Sequence, residues 1–222
     1  MSQRDRPVTL APAPRRGLGA EVATMIRGSI FTGAFQPGDA LREVELSTAL
    51  KVSRGPVRDA LQILEREGLV RSEWHRGATV TVLSDEDVAE LDSLRGVLES
   101  LAVRRLVENA NDFELIPIAM AAKAMERAED PYGMVRCDIE FHDTVFRAAK
   151  HSRLLEAWAA IRSQVFLFLI MRVNTSTAGY LEHIRLEHDM LVAALKSRNA
   201  EAALELFAVH RKHAFDLLSP GS

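Results

Sequence analysis

A mainly α-helical chain carrying one small β-hairpin wing is what three features of the sequence predict. Apolar residues recur at three- and four-residue intervals along most of the 222 positions. Period-two alternation is confined to "LVRSEWHRGATVTVL", where two short β-rich runs flank a turn at His75-Arg76-Gly77. Glycine and proline cluster at 33–38, which separates a first helix from a second.

The elements follow in order. Residues 1–17 are rich in Pro and Arg without periodicity and read as a flexible tail. From Glu21 the pattern is helical, with Val22, Met25, Ile26 and Ile30 on one face. Gly33, Pro37 and Gly38 in "TGAFQPGDAL" break it. A short helix follows, with Val44, Leu46 and Leu50 as its apolar positions, and "KVS" is a tight connection. Ser53 is placed to cap the next helix, and Pro56 falls in its first turn, where a missing N–H costs nothing. Val57, Leu61 and Leu64 face inward, and Gly68 sits where a helix-terminating glycine belongs. From Ser84, an N-cap followed by acids in the first turn, six helices run to the end with short loops, the pattern of an antiparallel bundle.

Two helices, a tight turn, a third helix and a hairpin make up the winged helix-turn-helix arrangement. Its third helix would present its N-terminus outward. Ser53 and the free backbone N–H groups there favour a phosphate. Arg54 and Arg58 lie four apart on one face, so either guanidinium could reach a guanine edge or a phosphate. Gly55 lets the backbone approach DNA closely, and the wing at His75, Arg76 and Gly77 can lie along an adjacent groove. An arginine pair alone is equally compatible with a solvated helix face; the complete run of elements is what points to DNA.

In the helical part, Asp138 and His142 are spaced i, i+4 and share a face. His188 and His210 lie on the last two helices, equidistant from Asn199 in the turn between them. In an antiparallel hairpin they are level. One carboxylate and three imidazoles converging inside a bundle suit a divalent metal ion, Zn foremost, with Ni or Mn as alternatives. His183, five residues before His188, should face elsewhere, whereas His213 could compete with His210.

Composition sets the surroundings. A hydrophobic share of 47% supports a core. The single cysteine, Cys137, excludes an internal disulfide and fits a reducing compartment. No apolar run has the look of a signal peptide, and "VFLFLIM" is too short to span a bilayer, so a cytoplasmic protein without membrane contact is expected. Residues 1–83 hold 12 Lys/Arg against 9 Asp/Glu, while residues 84–222 hold 16 against 22, so the excess of positive charge lies in the part expected to meet a polyanion.

The stretch "GAFQPGDALREVELSTALKVSRGPVRDALQILEREGLVRSEWHRGATV" resembles the DNA-binding domain of the GntR family of bacterial transcription regulators, whose signature contains V-S-R-x-P-V-R-x-A-L and a wing with R-G. The segments "LRGVLES", "DIEFH" and "EHDMLVAALKSRNAEAA", with His210 beyond them, are similar to the FCD domain of the FadR subfamily. The resemblance implies a DNA-binding domain at 18–83 and a helical effector-binding and dimerisation domain at 84–222. It implies Ser53, Arg54, Gly55 and Arg58 as DNA contacts. Asp138, His142, His188 and His210 become the metal ligands. A small carboxylate effector would sit nearby, with Arg95 and Arg172 as candidate contacts, although Arg95 is also placed to pair with Glu99. A homodimeric repressor on an operator is the function implied. The alternatives are a helical metalloenzyme with an accessory DNA-binding domain and an architectural DNA-binding protein with structural zinc.

Overall fold

The computed structural model describes residues 17–73, 77–175 and 180–216, with side chains over 17–73, 77–171 and 183–213. Among these residues it is mainly helical: α1 (Gly17–Phe31), α2 (Glu43–Ala49), α3 (Arg54–Arg66), then α4 (Asp85–Asn109), α5 (Asp112–Ala124), α6 (Pro131–Ala148), α7 (Ser152–Thr175), α8 (Tyr180–Lys196) and α9 (Ala200–Asp216). Three short strands, β1 (Ala40–Leu41), β2 (Val70–Glu73) and β3 (Gly77–Val80), form one antiparallel sheet in the order β1-β3-β2. The mainly α architecture with a small wing is the one expected.

In the N-terminal part, α1 packs on α3 through Val22, Ala23, Ile26 and Ile30 against Val57, Ala60, Leu61 and Leu64, all buried. Two positions read as inward are not. Met25 and Val44 are 57% and 52% exposed, because the apolar arcs of α1 and α2 are narrower than hydrophobicity alone suggests. Helix α1 also begins at Gly17, inside the stretch read as tail; residues 1–16 lie outside the described residues. Strand β1 was not anticipated. Two residues carry no alternation, and pairing with Ala78 and Thr79 of β3 creates it.

In the C-terminal part, Ser84 accepts a hydrogen bond from the Asp87 N–H and Asp87 returns one to the Ser84 N–H, a closed capping box that starts α4. Helix α5 stops at Ala124 and passes into a short 3-10 turn at Met125–Arg127. Helices α8 and α9 pack on each other around a turn in which Asn199 Oδ1 accepts from the Ala202 N–H.

Helix α7 corrects the reading of "VFLFLIM". Over Ser152–Met171 it is long and apolar enough to cross a bilayer, at a mean hydropathy of 1.6. Here it is a core helix. Val165, Phe166, Leu167, Leu169 and Ile170 are each 2% exposed or less, packed among α4 and α6.

The two parts meet along a seam. Phe31 at the end of α1 stacks on Phe166 of α7 at 3.6 Å between ring centroids. Gln36 Nε2 donates to the Tyr132 hydroxyl at 3.1 Å. Gly33 and Gly68 both have positive φ, and a Cβ on either would strike the other part: Tyr132 at 2.6 Å from Gly33 and Gln164 at 2.5 Å from Gly68. Each glycine therefore serves its own turn and the seam together.

Candidate functional site

The N-terminus of α3 stands clear of the protein. Ser53, Arg54, Gly55 and Arg58 are exposed, while Val57 beside them is fully buried and anchors the turn. Ser53 occupies the N-cap position with extended backbone, but its hydroxyl makes no capping hydrogen bond. The first amides of α3 thus keep the outward-facing donors that a helix start offers an anion. Arg58 Nε lies 3.6 Å from Glu43 Oε1, a loose surface pair. No atom lies within 4 Å of a Cβ built on Gly55, so packing does not dictate glycine there. Gly77 opens β3 with a φ of 81°. His75 and Arg76 lie outside the described residues.

Asp138 and His142 on α6, His188 on α8 and His210 on α9 come together in the bundle, exposed by 4% or less. Each offers a ligand atom within 4.8 Å of all the others. Asp138 Oδ1 is 3.1 Å from His188 Nε2 and 3.8 Å from His210 Nε2. Phe141 meets His188 edge-on at 4.6 Å, and Phe207 meets His142 at 6.5 Å, so apolar rings wall the cluster.

The outer nitrogens set the tautomers. His188 Nδ1 donates to the Ile184 carbonyl at 2.8 Å, and His210 Nδ1 donates to Glu187 Oε2 at 2.8 Å. His142 Nδ1 lies 3.0 Å from Glu99 Oε1, though out of line for a hydrogen bond. His188 and His210 therefore direct Nδ1 outward to an oxygen and Nε2 towards Asp138, while His142 turns Nδ1 to Glu99 and Nε2 to Arg95. Anchoring Nδ1 on an oxygen is how histidines are held around a metal. Two inward atoms, Asp138 Oδ2 and His188 Nε2, are buried without a hydrogen-bond partner. Orphaned buried acceptors of this kind are what a cation would satisfy. The local charge agrees. Three carboxylates, Asp138, Glu99 and Glu187, outnumber the guanidiniums of Arg95 and Arg211. The residues present fit a divalent ion with an N₃O donor set.

Burial alone would raise the Asp138 carboxyl, but the neighbouring histidines, His188 first, hold it well below the usual range. Burial works against the charged imidazole at His210, and despite the bond to Glu187 its pKa falls to about 4. His142 is lowered by burial and by Arg95. Burial would likewise raise Glu99, yet Arg95 and His142 keep it well below the ordinary range.

Arg95 is 3% exposed. Its Nε donates to Glu99 Oε1 at 2.8 Å, and its Nη2 lies 2.8 Å from His142 Nε2. The pairing of Arg95 with Glu99 and its place beside the cluster are thus both present. Helix α7 carries Arg172, but that side chain lies outside the described residues. His183 points away from the buried cluster, as the spacing predicted. His213 does not enter it either, and reaches Glu187 from outside.

Three residues near the cluster escaped sequence reasoning as parts of it. Glu99 supports His142, Glu187 supports His210, and Arg211 packs over Gly96 to reach Asp92 at 2.9 Å and Glu99 at 3.8 Å. The hairpin spacing that pairs His188 with His210 also sets Glu187 level with Arg211, one residue from His210, so that signal was available.

An exposed helix start, a wing and a helical domain enclosing a buried cluster of polar side chains are the arrangement of a class: DNA-binding transcription regulators. The comparisons agree. Residues 18–80 match the model of the bacterial regulatory proteins of the gntR family, and residues 90–213 match the FCD domain. The chain belongs to the GntR family and carries an FCD domain, consistent with the FadR subfamily. It is 31% identical over 202 residues to the gluconate operon transcriptional repressor of Bacillus subtilis, covering 87% of this chain and 81% of that protein. It is 33% identical over 184 residues to the Nta operon transcriptional regulator of Aminobacter aminovorans, covering 82% and 85%. The solved structure of a GntR transcriptional regulator from Rhodococcus sp. RHA1 superposes with a TM-score of 0.80 at 28% identity, covering 92% of this chain and 99% of that one. The family and these relatives are transcriptional regulators, not enzymes, so the metalloenzyme alternative is not favoured.

Proposed function

We propose that this chain is a metal-containing, ligand-responsive repressor that binds its operator as a homodimer in the cytoplasm. The observation that carries the sensing half is the buried Asp138/His142/His188/His210 group in the domain joined to the winged helix. Asp138 and the three Nε2 atoms would hold the ion, and zinc suits the imidazole-rich set best. Such an ion supplies an electrophilic site where an anionic ligand can complete the coordination.

The effector is a small carboxylate. A relative is named for the gluconate operon, and gluconate is a sugar carboxylate. Arg95 is the side chain for that anion. The single lone pair of His142 Nε2 cannot serve both Arg95 and a metal ion, so the guanidinium is the group whose partners must change. A small cleft walled by Val88, Leu91, Val165 and Phe168 contains Arg95. Helix α7 borders this cleft and also stacks on α1 through Phe166 and Phe31, which gives the effector a physical route to the DNA-binding part. That part comprises residues 18–83, and the sensing domain begins at Ser84.

In the DNA-binding part, Arg54 and Arg58 read the major groove, Ser53 and Gly55 meet the backbone, and the wing of His75, Arg76 and Gly77 follows the neighbouring groove. One recognition helix covers a half-site, so two copies are needed. Helix α4 supports the pairing. It leaves Leu94, Val97 and Leu101 exposed at 46%, 69% and 42%, in one stripe of spacing three and four.

The test is binding of the purified protein to the intergenic DNA upstream of its own gene at fixed salt. Wild type is compared with Arg54→Ala/Arg58→Ala and His188→Ala/His210→Ala, with and without sugar carboxylates. Specific binding should vanish in the arginine variant, and the effector response should vanish in the histidine variant. Absence of any preference by wild type for that DNA would sink the proposal.

A further inference from the structure

Outside the buried cluster, His183, Glu187 and His213 form a second convergent group. His183 and Glu187 are spaced i, i+4 on α8, and His213 comes from α9. Glu187 Oε1 lies 3.0 Å from His183 Nε2 and 2.5 Å from His213 Nδ1. The three ligand atoms lie within 4.8 Å of one another. Unlike the buried cluster, the group is open, with the His183 and His213 side chains 62% and 45% exposed.

Glu187 divides its two oxygens. Oε2 accepts from His210 Nδ1, behind a ligand atom of the buried cluster. Oε1 is not needed for that bond and faces both outer imidazoles. One carboxylate oxygen between two imidazole nitrogens, with a side open to water, is a three-residue donor set of the kind that binds borderline divalent ions. Bringing each atom to about 2.0–2.2 Å of an ion requires only small movements of exposed side chains.

We propose that His183, Glu187 and His213 form an outer, solvent-accessible site for a divalent transition-metal ion, with Glu187 shared between it and His210. Water or an external ligand fills the remaining positions. Imidazole and carboxylate donors suit Zn²⁺, Ni²⁺ or Cu²⁺. The outer site stands on its own residues and does not need the buried group to hold metal.

The experiment is calorimetric titration of Zn²⁺ into untagged, metal-stripped full-length protein. Wild type is compared with His183→Ala/His213→Ala and with His142→Ala/His188→Ala. The outer pair is exposed, so its removal leaves the core intact. Wild type should take two equivalents per chain, the second more weakly, and the outer variant should take one. If the outer variant binds as many equivalents as wild type, the site does not exist. If a single class is lost in the outer variant and kept in the inner one, the outer site holds and the buried-metal reading falls. Should the inner variant fail to fold, anomalous scattering from zinc-grown wild-type crystals decides: a peak between His183 and His213 supports the site, and none there refutes it.

Discussion

At the scale of single residues, the buried cluster depends on side chains one step removed from the ligand atoms. Glu99 touches both Arg95 and His142, so its replacement acts on two groups at once. Glu99→Gln should weaken zinc binding by roughly 10–100-fold, the usual effect of removing an outer support. Competition with a zinc-binding dye would measure it, and unchanged affinity would show that His142 needs no such support. At the other end of the chain, Arg54 and Arg58 separate by kind of contact. If one of them touches phosphate, its change to alanine lowers the slope of log affinity against log salt by about 1 at every sequence; if it reads a base, the cost is about 1–3 kcal/mol at one operator position. Measuring binding across a salt series on matched and mismatched DNA tells them apart. A variant that changes neither slope nor discrimination would remove that arginine from the interface.

At the scale of elements, the seam is where the two halves hold each other. Gly68 has a φ of 71° and leaves no room for a Cβ beside Gln164. Gly68→Ala should cost about 1–2 kcal/mol for the left-handed backbone alone, with a further loss from the contact. Gln164→Ala in the same chain should recover the second part only, and thermal melts of the single and double variants would show it. Full recovery would mean that backbone strain contributes nothing. Val97→Asp on α4 should shift the protein from dimer to monomer in light scattering; an unchanged dimer would move the interface off this stripe. Most elements were legible because each carries its own local signal. Ser84 and the acids after it announce α4, and the spacing of Asp138 and His142 fixes their shared face. What local signal could not give is tertiary. Strand β1 exists only through β3, and Met25 and Val44 are hydrophobic yet exposed, since a face is defined by what packs on it. The pairing of His188 with His210 followed from hairpin symmetry, whereas the approach of α6 to that hairpin, and of Glu99 to His142, depends on how the helices lie across one another.

For the whole molecule, a bound ion and pH would act on the same buried group. An ion held only by the folded state adds about 4 kcal/mol at a thousandfold excess over its Kd, which corresponds to roughly 10 °C in Tm for a chain of this size. Chelation should lower Tm by that order, and a melt insensitive to chelator would argue against a buried ion. In the metal-free protein, His210 takes its proton far less readily when folded, at about 4 against an ordinary 6.5. The unfolded chain therefore binds more protons in that window. Stability should stay level above pH 7 and fall as pH drops from 6.5 towards 4, by on the order of 2 kcal/mol at pH 5 from His210 alone. His142 is depressed as well and adds to the loss. Asp138 and Glu99, held low in the fold, extend it further into acid. Denaturant melts of metal-free protein at pH 5 and 7.5 would check the sign.

Helix α7 is as apolar as many membrane spans, and its burial has a consequence for how the chain is made. Its main neighbours, α1, α4 and α6, all precede it in sequence. As synthesis proceeds from the N-terminus, the surfaces that cover α7 have left the ribosome before it does. The greasiest segment of the nascent protein thus emerges next to its own docking ground. Most of its shelter from the insertion machinery and from other unfinished chains is thus in place before the later hairpin of α8 and α9 is made.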